Sequence, residues 1–150
     1  MHKYCARAMS AHDNPAQYVQ NYIGYTFRDH AILEEAVAQT NNKRLGFLGD
    51  KVVGLLLLDA WYRTHDSCET GNYTLQRYGS NREMADEARI AKFDQFIEPD
   101  CIFHRPHSRA YIHDLATEVE AIVGAVWVDS GRDWEVTGKC YGRIRDHLVT

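Results

Sequence analysis

Apolar residues along this chain recur at helical spacing, in blocks separated by glycine, proline and short polar residues. Nowhere do they alternate with the two-residue period of a half-buried strand. The longest block runs through Val52, Val53, Leu55, Leu56, Leu57, Leu58, Ala60 and Trp61. It is too long for a strand and too broken by Asp50, Lys51 and Asp59 for a membrane span, so it predicts one helix over about residues 44–64. This helix is apolar nearly all round, which places it centrally and buried.

The flanking elements carry their own start and stop signals. Asn14 is a cap with Pro15 at the first helical position, and Gly24 ends that helix. Asp29 caps a helix over roughly 30–40 whose inner face is Ile32, Leu33, Ala36 and Val37. Residues 65–72 are polar, contain Gly71 and read as a loop, followed by a short helix over 73–78. Ser80 with Glu83 forms a capping box that opens a helix to about Lys92. Pro99 and Pro106 make 98–108 a loop. A second long helix covers 109–129 and ends at Gly131. Asp133 starts a last helix to about Leu148, weakened by Gly138 and Gly142. Residues 1–13 have no period and read as an N-terminal arm, which leaves one all-α domain over 14–150.

Composition bounds this picture. A chain of 150 residues, 45% hydrophobic and 25% charged, suits one soluble domain with a real core. The net charge of −4 gives no bulk attraction for nucleic acid. No apolar run reaches membrane-spanning length. Cys5, Cys68, Cys101 and Cys140 contain no Cys-x-x-Cys pair, so a zinc site is disfavoured. Free thiols in a reducing compartment are favoured over two disulfides. The first residues lack an apolar signal-peptide core, which favours an intracellular location (cytoplasm, nucleus or mitochondrion). Secretion is the alternative if a leader has been trimmed.

The stretch Arg44-Leu45-Gly46-Phe47-Leu48-Gly49-Asp50 resembles the signature of ribonuclease III domains, whose usual form is Glu-Arg-Leu-Glu-Phe-Leu-Gly-Asp. Upstream, Ile23-Gly24-Tyr25-Thr26-Phe27-Arg28-Asp29 and Leu33-Glu34-Glu35-Ala36-Val37 are similar to the family's opening segment. Downstream, Ser80-Asn81-Arg82-Glu83-Met84-Ala85 and Phe93-Asp94-Gln95-Phe96-Ile97 fit its middle. Leu115-Ala116-Thr117-Glu118-Val119-Glu120-Ala121-Ile122-Val123-Gly124-Ala125 fits its last motif, Leu-Ala-Asp-x-x-Glu-Ala-x-x-Gly-Ala. The match covers about residues 22–148 in order. It implies an all-α ribonuclease III endonuclease-domain fold, a two-fold homodimer with Phe47 at the interface, and action on double-stranded RNA with Mg2+ or Mn2+. Core burial is the other reading of Phe47. The chain ends at Thr150, so the double-stranded-RNA-binding domain that often follows is expected to be absent.

The resemblance also implies a site, and the chain departs from it. The family's signature acids fall on Gly46 and Asp50, its last-motif acids on Thr117 and Glu120, and a further acid on Lys43. Helical spacing puts 43, 46 and 50 on one stripe, and 113, 117 and 120 on another, so His113 joins as an auxiliary. Phosphodiester hydrolysis of this type uses two metals as a clamp on the attacking and leaving oxygens. Losing two carboxylates and gaining an ammonium weakens any divalent cation there. Glu118 is no substitute, because one residue turns a helix by about 100°.

The bland reading makes Asp50 an ion-pair partner of Lys43 or of another buried group, fixing the helix start, and Glu120 a partner of His113 or Lys43. His104, His107 and His113 could do acid–base or metal chemistry, but loop histidines are more commonly plain polar residues. Lys139, Arg143 and Arg132, with Arg105 and Arg109, offer phosphate contacts whose commoner reading is a solvated surface. The leading expectation is a domain associated with double-stranded RNA or a ribonucleoprotein, with little or no hydrolysis. Two rivals stay open: a minimal magnesium-dependent endonuclease using Asp50 and Glu120, and a protein-interaction module that never meets RNA.

Overall fold

The computed structural model describes residues 14–97 and 108–146. Among these residues the chain is entirely helical: α1 (Pro15–Ile23), α2 (His30–Val37), α3 (Lys43–Tyr62), α4 (Cys68–Tyr78), α5 (Asn81–Ile90), a 3-10 turn (Phe93–Phe96), α6 (Arg109–Asp129) and α7 (Trp134–Arg145). The arm over 1–13, the loop over 98–107 with His104 and His107, and the end of the last predicted helix lie outside the described residues.

The caps read from the sequence form as chemistry dictates. The Asn14 side chain accepts from the Gln17 amide at 3.1 Å, and Gly24 closes α1 in the left-handed conformation. The Ser80 hydroxyl accepts from the Glu83 amide, and the Asp133 carboxylate from the Val136 amide. Two elements differ from expectation. The stretch expected to be a loop over 65–72 is helical from Cys68, because Ser67 accepts from the Thr70 amide and starts α4 a turn and a half early. Gly71 is not a loop marker; it is the flat surface on which the Trp61 ring lies, with ring atoms where a Cβ would project. The helix over 30–40 stops at Val37, since Ala38 is extended.

The hub is α6, not α3. Nearly every residue from Leu115 to Val126 is buried, and α3, α5, α2 and α7 all pack on it. The expectation that α3 is buried all round fails on one face. Phe47, Leu55 and Tyr62 are 77%, 56% and 76% exposed, while Leu45, Val52, Val53 and Leu57 enter the core. The apolar excess of α3 therefore serves two surfaces, one internal and one external. Asp129 fixes the end of α6 to the loop after α1. Its carboxylate accepts from the Tyr25 hydroxyl at 2.6 Å and from the Arg28 and Asp29 amides at 2.9 Å. Burial opposes its ionisation, but these donors prevail and hold its pKa below the ordinary value.

Two buried carboxyls are costly features of this core. Glu118 is fully buried, accepting from the Asn42 amide group at 2.9 Å with one oxygen, while the other has no protein partner. Burial pushes its pKa up from 4.5 to about 9, against the opposing pull of Asn42. Glu87 is equally buried, has no partner on either oxygen, and is raised to about 8 by burial and by Glu83. Each keeps its proton in the folded state at pH values where the unfolded chain releases it. Stability from these groups is therefore greatest at acid pH and declines as pH rises from 4.5 toward about 9. Glu118→Gln keeps an acceptor for Asn42 and removes the ionisation. Thermal melts across this window should show the variant more stable at alkaline pH, by an amount on the order of 1–3 kcal/mol, with a flatter pH profile.

Candidate active-site cleft

Two glycines decide how the site is assembled. A Cβ on Gly49 would fall inside the Glu120 carbonyl, and one on Gly124 would strike the Leu45 carbonyl. Without side chains there, α3 and α6 cross at backbone contact. That closeness brings the residue after Gly49, which is Asp50, beside the side chain of Glu120.

A cleft of ≈ 370 Å³ opens along this crossing, lined by Lys43, Gly46, Phe47, Asp50, Asn81, His113, Thr117 and Glu120. The two sequence stripes thus meet face to face: 43, 46 and 50 from α3, and 113, 117 and 120 from α6. Gly46 faces Thr117 directly, since a Cβ at 46 would lie 2.9 Å from the Thr117 methyl. The Thr117 hydroxyl donates to the His113 carbonyl at 2.9 Å, so its proton is already used within α6. Glu118 points away into the core, as its place on the helix requires. Asn81 is the residue sequence reasoning missed. It is the first residue of α5, and Ser80 signalled the helix start, but only packing of α5 on α6 brings it to the cleft.

The ion pairs are not those expected. Asp50 pairs with Lys51 at 3.4 Å rather than with Lys43, because Lys51 is adjacent and both side chains are partly exposed. His113 lies 4.0 Å from Asp114, its neighbour on α6, and makes no ion pair with Glu120. Burial, then the charge of Asp50, pushes the Glu120 pKa up to about 8, with Lys51 opposing. The charge of Asp50 is thus felt at Glu120, which places the two carboxyls near each other at the helix crossing.

Four carboxylates suit a two-metal clamp; this donor set does not supply them. Thr117 offers one neutral oxygen, Gly46 offers nothing, and Lys43 brings a positive charge. Among the described residues no group of three or more histidine, cysteine, aspartate or glutamate side chains is arranged to hold a metal ion. Asp50 and Glu120 fit at most one divalent cation, since magnesium often takes only one or two protein carboxylates. Cys68 is exposed and Cys140 buried, and both are free thiols. Among the described residues no helix is long and apolar enough to cross a membrane.

The arrangement matches a known family. The family model for the ribonuclease III domain matches residues 43–131, which hold both stripes of the cleft, and the chain belongs to the ribonuclease III domain family. It is 35% identical over 110 residues to ribonuclease 3 of Streptomyces coelicolor, covering 72% of this chain and 39% of that protein. It is 27% identical over 132 residues to ribonuclease 3 of Idiomarina loihiensis, covering 83% and 58%. The chain thus spans between 39% and 58% of the length of these curated relatives. Among solved structures, the nuclease domain of ribonuclease III from Campylobacter jejuni superposes with a TM-score of 0.73 at 20% identity, over 87% of this chain and 96% of that one. A second structure of the same domain gives 0.72 at 19% identity. These two show the fold, and the first is described as having a region involved in dimer formation.

Proposed function

We infer that this ribonuclease III domain works on double-stranded RNA, free or in an intracellular ribonucleoprotein, as a two-fold dimer whose hydrolytic power is strongly impaired. The observation that carries this is the cleft itself. It has the place and the lining elements of a nuclease site, yet two carboxylates remain where the family pattern has four, and Lys43 stands among them. A single Mg2+ or Mn2+ on Asp50 and Glu120 would polarise a phosphate or a water. The protein's own contribution would be to hold the two acids at the α3–α6 crossing and to present the RNA backbone to them.

Cleavage of a long labelled duplex RNA with magnesium or manganese tests the reading. Product from the wild type at or near background, in conditions where an intact relative cuts, is expected. Efficient cleavage lost in the Asp50→Ala, Glu120→Ala double variant would replace this reading with that of a minimal metal-dependent endonuclease. Failure to bind duplex RNA at low salt would favour a protein-interaction role instead.

The dimer reading rests on the open face of α3. Phe47 projects from it, and a groove of ≈ 470 Å³ lined by Gly54, Leu55, Leu58, Leu75 and Gly79 lies beside it, bounded by Asp50 and Lys51. A projecting aromatic and an apolar recess on one surface are self-complementary under a two-fold axis. Burying Phe47 in the partner's recess would contribute about 2–3 kcal/mol per site. Phe47→Asp should therefore shift sedimentation from dimer to monomer with an unchanged helical spectrum. A monomeric wild type would overturn the assignment.

A further inference from the structure

The charge balance of the cleft departs from that of a metal-loaded nuclease. Lys51 pairs with Asp50 at 3.4 Å, so one of the two retained acids already has a cation beside it. Lys43 lines the same cleft, is exposed, and makes no ion pair among the described residues. Beside it, Gly46 puts no side chain between the ammonium and Thr117. Four acids without metal would repel a phosphodiester. Asp50, paired with Lys51, and Glu120 beside Lys43 leave the cleft far less negative than four acids would, with Lys43, unpaired among the described residues, at its rim.

Local backbone electrostatics point the same way. Lys43 is the first residue of α3, and the positive end of a helix dipole disfavours a cation there. Asn42, at the cap position, makes no side-chain capping bond, because its amide group is turned inward to donate to Glu118 and to the Ala36 carbonyl. The first turn of α3 therefore has no side-chain acceptor and carries a lysine that adds to its positive potential. An anion drawn into the cleft would relieve both.

We propose that the cleft engages an RNA backbone phosphate without a metal ion, with the Lys43 ammonium supplying the positive charge at its rim. The proposal rests on the double-stranded-RNA reading above and specifies how that RNA is held. Lys43 contributes one ionic contact to a phosphate, and Asn81 and His113 are placed on the cleft wall as hydrogen-bonding groups.

The test is fluorescence-anisotropy titration of a short blunt duplex RNA, in excess EDTA and in magnesium, at several salt concentrations. The arms are the full chain, Lys43→Gln and Lys43→Arg. Affinity of the wild type in EDTA within about twofold of that in magnesium is expected. Lys43→Gln should weaken it roughly three- to tenfold and flatten the log–log salt slope by about one contact, and Lys43→Arg should restore both. Lys43 is exposed, so a folding defect is not expected and circular dichroism verifies this. Binding that requires magnesium, or EDTA-resistant binding indifferent to Lys43→Gln, overturns the phosphate assignment and leaves the RNA reading intact. No binding in any condition overturns both.

Discussion

Gly49→Ala should unfold or nearly unfold the domain, the largest stability loss of any single methyl addition in this chain. The new Cβ would occupy the Glu120 carbonyl, and the next obstacle is the backbone amide of Gly124 at 3.1 Å. Neither can swing aside as a side chain does, so α3 and α6 would have to separate. Overpacking by one methyl commonly costs about 1–3 kcal/mol where side chains can adjust. Here backbone must move along the most extensive helix contact in the fold, and a loss of at least about 4 kcal/mol is expected, against a typical total of about 5–15 kcal/mol. Chemical denaturation of the variant measures it. Gly138→Ala is the control: its Cβ would meet only the Leu56 side chain at 3.5 Å, an ordinary contact, and helix propensity should make that change neutral or stabilising. A well-folded Gly49→Ala protein would mean that the helices do not cross at backbone contact.

Rebuilding the acids should convert the domain into a metal-dependent nuclease. The Lys43→Glu, Gly46→Glu, Thr117→Asp variant replaces an ammonium, an empty position and a hydroxyl by three carboxylates facing Asp50 and Glu120 across the cleft. Cleavage of duplex RNA in magnesium should rise by about a hundredfold or more over wild type, on the scale of the several kcal/mol that a bound metal can supply to a charged transition state. The order of substitution matters. A side chain at 46 meets the Thr117 methyl at 2.9 Å, so Gly46→Glu alone should be strained, and Thr117→Asp should relieve it by removing that methyl. A double-mutant cycle on stability should therefore show favourable coupling between positions 46 and 117. Unchanged cleavage in a folded triple variant would mean that the number of acids does not limit hydrolysis in this cleft.

Much of this could be read along the chain, because helices and their caps are local. The caps at Asn14, Asp29, Ser80 and Asp133, the left-handed turn at Gly24 and the long helix over 109–129 follow from residues a few positions apart. The same local geometry put 43, 46 and 50 on one stripe and 113, 117 and 120 on another, and the ordered motifs pointed to the ribonuclease III fold. Early helix formation from Ser67 was legible in principle, but Gly71 read as a loop, since nothing local shows that Trp61 needs a flat neighbour.

The tertiary structure alone decided the rest. Which face of an apolar helix stays open depends on how many helices surround it, so α6 became the hub and α3 kept Phe47, Leu55 and Tyr62 outside. No charge pair formed between the two stripes: Asp50 met its own neighbour Lys51, His113 lay nearest its own neighbour Asp114, and Lys43 has no acid partner among the described residues. Asn42 reached across to Glu118, and α5 delivered Asn81 to the cleft. Helical periodicity fixes directions within a segment; the crossing at Gly49 and Gly124 fixes which directions converge.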